Sequence, residues 1–139
     1  MTNNATSRML AVTGVMLSCS LAVSGEICSK ITGQPTLSEL QRCASAGDAQ
    51  AQLLLAHRYR EGKDAALSLY EAAQWYRAAA EQGEAEAQYQ LGLMCIDGAG
   101  ITEDATEGFD WIARATLQGH PGATQVFNYL LKNPQPMEC

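Results

Sequence analysis

Residues 75–98 read WYRAAAEQGEAEAQYQLGLMCIDG, and 36 residues further on the plan returns as WIARATLQGHPGATQVFNYL over residues 111–130. Trp75 is matched by Trp111, Ala79 by Ala115, Gly83 by Gly119, Ala87 by Ala123 and Leu91 by Phe127. The same step taken backwards joins Gly83 to Gly47, Ala87 to Ala51, Leu91 to Leu55 and Gly98 to Gly62. A fixed period of this length is the mark of a solenoid, in which each unit buries its face against its neighbours. It points to an all-α chain and to a binding surface, not to a reaction.

Local signals set the helix limits. Thr36 and Glu39 form a capping box, as do Ser68 with Glu71 and Asp104 with Glu107. Asp48 is an N-cap, and His120-Pro121 opens the last helix with proline where a missing amide costs nothing. Glycines close the helices, and Asn133-Pro134 stops the last one. Six helices are expected, over 37–46, 49–61, 69–82, 85–97, 105–118 and from 121. The inward stripes are Ala51, Leu55 and Tyr59; Ala87, Leu91 and Cys95; Ala123, Phe127 and Leu131 on the first helix of each unit. On the second helices they are Ala72, Trp75 and Ala79, then Gly108, Trp111 and Ala115. Small residues let the helix axes approach while the rings fill the gaps, so the tryptophans are read as core.

The chain of 139 residues holds one small domain, expected over 36–133, with a lead-in at 26–35 and a tail at 134–139. Residues 1–25 differ from the rest. Arg8 precedes the uncharged, mostly apolar run Met9–Val23, and Ala22, Ser24 and Gly25 follow as small residues. This order reads as a secretory signal peptide, and the run is short of the roughly 20 residues of a spanning helix. The chain is therefore expected in the periplasm or secreted. The alternative is a lipid anchor: Met16-Leu17-Ser18-Cys19 loosely resembles a lipobox, and a membrane contact is expected only if Cys19 is acylated. Formal charge is −6, with 9 basic and 15 acidic side chains. No basic footprint for nucleic acid is present, and an anionic membrane surface would repel the chain.

Against this frame the residues resemble a known family. Ala87-Gln88-Tyr89-Gln90-Leu91-Gly92-Leu93-Met94 is similar to the opening of a Sel-one-like repeat, a cousin of the tetratricopeptide repeat. Gly98-Ala99-Gly100-Ile101-Thr102-Glu103-Asp104 resembles its G-x-G-V-x-x-D loop, and Trp75 to Gly83 its W-Y-x-x-A-A-x-x-G helix. The resemblance covers residues 37–132: an orphan second helix, two full units and an orphan first helix. It implies a short right-handed α/α solenoid of about two and a half repeats of 36 residues. The first loop, residues 62–68, lacks the second glycine, and Cys95 replaces the usual tyrosine. The family implies a protein-binding adaptor, here in the bacterial envelope. Small members that neutralise a toxic enzyme give the alternative, an immunity or inhibitor protein. Cysteine-rich relatives linked to β-lactams give a third, less favoured reading.

No chemistry is expected: not an enzyme, no catalytic residue, no cofactor and no metal. His57 and His120 are the only imidazoles and are not at metal-ligand spacing. His120 is read as a cap and His57 as a surface or partner contact. No nucleophile elbow, S-x-x-K or phosphate loop occurs. Four cysteines lie beyond residue 25, and an even count in an exported domain suggests two disulfides. Of the three connectivities, Cys28–Cys43 and Cys95–Cys139 are expected. Cys28 precedes the first helix, and the chain after Leu131 starts beside Cys95 by the repeat. The partner, an unidentified protein, is expected on the face left on the first helices: Leu53, His57 and Arg60, then Tyr89 and Leu93, then Tyr129 and Lys132. Aromatics with arginine are common interface anchors. The alternative for Tyr89 and Leu93 is packing between units. Neither the partner's identity nor the oligomeric state can be read from the period.

Overall fold

The computed structural model describes Cys28 and residues 33–133. The expected signal peptide, Cys19, Cys139 and the tail from residue 134 lie outside the described residues. The chain divides into two compact units, Met1–Pro35 and Thr36–Cys139. Within the second, six helices follow one another: α1 (Leu37–Ser45), α2 (Ala49–Glu61), α3 (Leu69–Glu81), α4 (Ala85–Asp97), α5 (Ala105–Leu117) and α6 (Pro121–Lys132). They form an α/α solenoid in which each helix packs on the next.

The helix ends are where capping chemistry puts them. Thr36 accepts from the Glu39 amide while Glu39 reaches back to the Thr36 amide at 2.8 Å, a full capping box. Asp48 accepts from the Ala51 amide at 2.7 Å, and Ser68 from the Glu71 amide at 3.2 Å. Neither of the boxes expected at Ser68 and Asp104 is completed: Glu71 makes no return bond to the Ser68 amide, and Asp104 accepts from the Glu107 amide at 2.9 Å while the Glu107 carboxylate does not reach back. It turns outward to Arg77 at 2.5 Å and to the Trp111 indole at 3.2 Å. A charged donor from α3 and an indole one turn along α5 outcompete one backbone amide for that carboxylate.

The long loops are tied off in the same way in both units. The Ser68 amide donates to the Tyr59 carbonyl at 3.0 Å, and the Asp104 amide to the Cys95 carbonyl at 2.9 Å. Both bonds move together by 36 residues. The missing glycine of the first loop is replaced in kind: Asp64 stands where the second loop has Gly100, and both take a left-handed φ, 58° and 75°. Aspartate is one of the few residues to enter that region at modest cost. Gly100 has a further reason to be glycine, since a Cβ there would lie 2.3 Å from the Leu69 carbonyl carbon at the start of α3.

The core follows the expected stripes, with Tyr59 and Phe127 half-buried at its edge, and with two corrections. Ala51, Leu55, Ala87, Leu91, Cys95, Ala72, Ala79, Trp111 and Ala115 are all buried. Trp75, however, is only half-buried, and its neighbour Tyr76 is fully enclosed. The buried stripe of α3 is centred on Ala72, Ala73, Tyr76 and Ala80, so Trp75 flanks it. Leu131, expected inward, is 59% exposed, because among the described residues no helix follows α6 to cover it. Between α4 and α5 the packing is closest at a glycine pair. A Cβ on Gly92 would meet Ile112 at 2.8 Å, and one on Gly108 would meet Ile96 at 2.6 Å.

Cys28 and Cys43 are disulfide-bonded, the first expected bridge. Cys95 instead carries a free thiol. Its side chain is sealed in the core of α4, so the second expected bridge, to Cys139, is not formed there. Burial pushes this thiol up to about 11.

Candidate functional site

The first helices of the units, α2, α4 and α6, stand side by side and carry the face expected to meet a partner. A chain of polar contacts runs across all three. Arg60 on α2 donates to the Gln90 side-chain carbonyl on α4. Gln90 donates to Glu86 Oε1 at 2.7 Å, one turn back on the same helix. Glu86 Oε2 lies 2.7 Å from His120 Nε2, at the start of α6. His120 Nδ1 accepts from the Ala123 amide at 3.0 Å. An amide can only donate, so Nδ1 is bare and Nε2 carries the proton toward Glu86. Burial pushes Glu86 up, but the bonds from Gln90 and His120 outweigh it and hold the carboxyl below its ordinary value.

Aromatic rings line this chain. Tyr89 stacks on the His120 imidazole with centroids 4.7 Å apart. Gly122 leaves the room for that stack, because a Cβ there would stand 3.1 Å from the Tyr89 ring. Tyr76 rises from α3 beneath Arg60, whose guanidinium lies 6.0 Å from the ring centre, and its hydroxyl is 2.9 Å from His57 Nδ1. Burial raises the Tyr76 phenol to about 12. Burial first, and then the Arg60 charge, lower the His57 imidazole below its ordinary value.

The seven residues expected on this face fall into three groups. Leu53 is 8% exposed and belongs to the core, which corrects its reading as a contact residue. His57, Arg60, Tyr89 and Leu93 are half-buried, each held by a neighbour on another helix: His57 within its own unit through Tyr76, and Arg60 and Tyr89 across to the next. Tyr129 and Lys132 are fully presented on α6. The sequence step of 36 explains the sorting: the face that α2 and α4 turn to the next first helix is the one that α6 turns to solvent. His120 is the cap it was expected to be.

Four glutamines were missed. Gln52 and Gln88, both buried, donate to the Ala44 and Ala80 carbonyls at 3.1 Å. Each accepts at 2.8 Å from Gln82 or Gln118 at the end of the paired helix. These bonds add a second donor to carbonyls that already accept from the Gly47 and Gly83 amides at 3.0 Å, and so tie α2 and α4 to the ends of α1 and α3. The signal was available in the 36-residue recurrence of Gln52/Gln88 and Gln82/Gln118, polar residues one turn from Leu55 and Leu91. Among the described residues there is no cluster of metal-ligating side chains, and no helix is long and apolar enough to cross a membrane.

Helix pairs repeating every 36 residues, each helix packed on the next, define a repeat-solenoid scaffold. A Sel1 repeat family model matches residues 49–84 and 85–120, the two helix pairs α2–α3 and α4–α5. The chain belongs to the Sel1 repeat family. It is similar to chitin synthase regulatory factor 3 of Schizosaccharomyces pombe, 36% identical over 59% of this chain and 9% of that one. It is also similar to an exopolysaccharide production negative regulator of Rhizobium leguminosarum bv. viciae, 35% identical over 58% of this chain and 32% of the relative. The chain thus spans between about a tenth and a third of the length of these two relatives. Among solved structures, a Sel1 repeat protein from Oxalobacter formigenes superposes with a TM-score of 0.66 at 36% identity, covering 67% of this chain and 27% of that one.

Proposed function

We propose that this chain is a non-enzymatic, exported interaction module that holds a protein partner and serves a regulatory role. The observation that carries the reading is the braced strip across α2, α4 and α6. Arg60, Gln90, Glu86 and His120 are fixed by one another, and Tyr89 is fixed by stacking, so little side-chain entropy is left to lose on binding. The polar groups most suited to acid–base work are engaged in this bracing: His120 through both nitrogens, His57 through Tyr76, Ser68 as a cap. Two relatives are named as regulators, of exopolysaccharide production and of chitin synthase, which supports a regulatory partner. The apolar leader expected over residues 9–23 and the Cys28–Cys43 disulfide support an oxidising, exported setting.

The test uses the oxidised chain as bait on its native envelope, with mass spectrometry of what is retained. A stoichiometric partner that is lost with Tyr89→Ala and Arg60→Ala, while both variants still unfold in one cooperative transition above the assay temperature, supports the reading. A single toxic enzyme as that partner moves the assignment to an inhibitor. Retention indifferent to both substitutions overturns the placement of the site on this strip.

A further inference from the structure

The surface of α6 repeats positions that are covered everywhere else in the solenoid. Leu53 and Tyr89 correspond to Gln125, His57 and Leu93 to Tyr129, Cys95 to Leu131, and Ile96 to Lys132, each by steps of 36. In α2 and α4 neighbouring helices shield them: Cys95 is sealed in the core cluster with Tyr76 of α3 and Trp111 of α5, and Leu93 and Ile96 pack into the second core cluster with Ile112 of α5 and Ala123 of α6. In α6, Tyr129 is 62% and Leu131 59% exposed, with Gln125 and Lys132 also open to solvent. The apolar surface of α6 is thus continuous with an established interface, the one that packs helix on helix through the solenoid.

Charge says what can cover it. The chain carries a formal charge of −6, so two copies repel over most of their surfaces. Of the six described helices, α1 to α5 each contain at least one Asp or Glu, while α6, PGATQVFNYLLK, contains none. Its one cation, Lys132, lies at the C-terminal end, where it complements the helix dipole. Depletion of charge with a central aromatic is the composition of an interface core. A face free of acid on an acidic chain is the place where a second copy meets no repulsion. An antiparallel pairing also sets the two helix dipoles head to tail.

We infer that α6 is a self-association surface: two copies pair α6 against α6 about a twofold axis, through Tyr129 and Leu131. One helix face is a small area, so the dimer is weak and forms at high protein concentration.

Sedimentation velocity on the full oxidised chain, from micromolar to submillimolar concentration, tests this. The wild type is expected to move from monomer to dimer, more readily at higher salt, which screens the acidic repulsion. Leu131→Glu and Tyr129→Glu should each weaken association by about tenfold or more, because each places an acid in the contact. Both positions are exposed, so the variants should keep the wild-type unfolding temperature. A monomer at every concentration overturns the proposal. So does a dimer that persists in both variants, which would put the contact elsewhere, as at exposed Leu67 and Tyr70. A monomer whose Tyr129 and Leu131 resist hydroxyl-radical footprinting also overturns it and assigns the cover to residues after 133.

Discussion

Replacing Gln88 with methionine keeps the volume and shape of the side chain and removes both of its hydrogen bonds. Gln88 is 5% exposed, its Nε2 meets the Ala80 carbonyl at 3.1 Å, and its Oε1 receives Gln118 at 2.8 Å. The Ala80 carbonyl, in the last turn of α3, keeps the Gly83 amide at 3.0 Å and loses this second donor. Losing one of two donors to a buried carbonyl costs about 0.5–1.5 kcal/mol, whereas the amide of exposed Gln118 is free to turn to water. Gln88→Met should therefore destabilise by about 0.5–1.5 kcal/mol and lower the unfolding temperature by roughly 4–8 °C for each kcal/mol, while Gln118→Met should cost less than Gln88→Met. Urea unfolding with both single variants and the double variant measures this. The coupling between the two positions should be about 0.5–1.5 kcal/mol, and Gln52→Met, one repeat earlier, should match Gln88→Met. Unchanged urea midpoints for both Gln88→Met and Gln52→Met would refute the argument that buried amides lock each helix pair.

Further expectations concern backbone, core, protonation and thiol. Gly100→Ala should be among the most damaging single changes, by more than about 2 kcal/mol in thermal unfolding, since it combines a positive φ with a Cβ driven into Leu69. Trp111→Ala should cost roughly 3–5 kcal/mol and Trp75→Ala distinctly less, because only the first is buried; chemical denaturation separates them. His57 is held below its ordinary value by burial and Arg60, so the unfolded chain takes the proton first. Stability from this group is whole above pH of about 6.5 and is lost as pH falls below it, a slope that His57→Gln should flatten in urea midpoints taken from neutral to about pH 5. Cys95, buried and pushed up to about 11, should resist alkylation at neutral pH until the chain is unfolded, as peptide mass mapping reads out.

The helices and their order were legible because caps, glycines and the 36-residue step agree with one another. The inward stripe was legible on α2 and α4, where alanine and leucine alternate at helical spacing. It misplaced Trp75, because adjacent large rings at 75 and 76 do not reveal which points inward. The candidate face was legible as a set of equivalent positions but not as a surface. Sequence spacing assigns a side of a helix, whereas exposure depends on whether another helix follows, and only α6 has its side uncovered among the described residues. The polar bracing escaped notice because a glutamine reads as surface unless its neighbours are considered together with its recurrence. The bond from Glu107 to Arg77 joins different repeats, and periodicity within one helix does not show it.

The ties between units bear on how the solenoid comes apart. Gln82 to Gln52 and Gln118 to Gln88 lock helices inside a pair, whereas Arg60 to Gln90, Arg77 to Glu107 and His120 to Glu86 lock one pair to the next. In a linear array, strong links between neighbours relative to the stability of each unit make the whole behave as one cooperative block. Intermediates with a single melted repeat are then too costly to populate. A damaged repeat is not shed on its own, and an injury at Arg60 is felt at His120, two first helices away, as a loss for the entire domain.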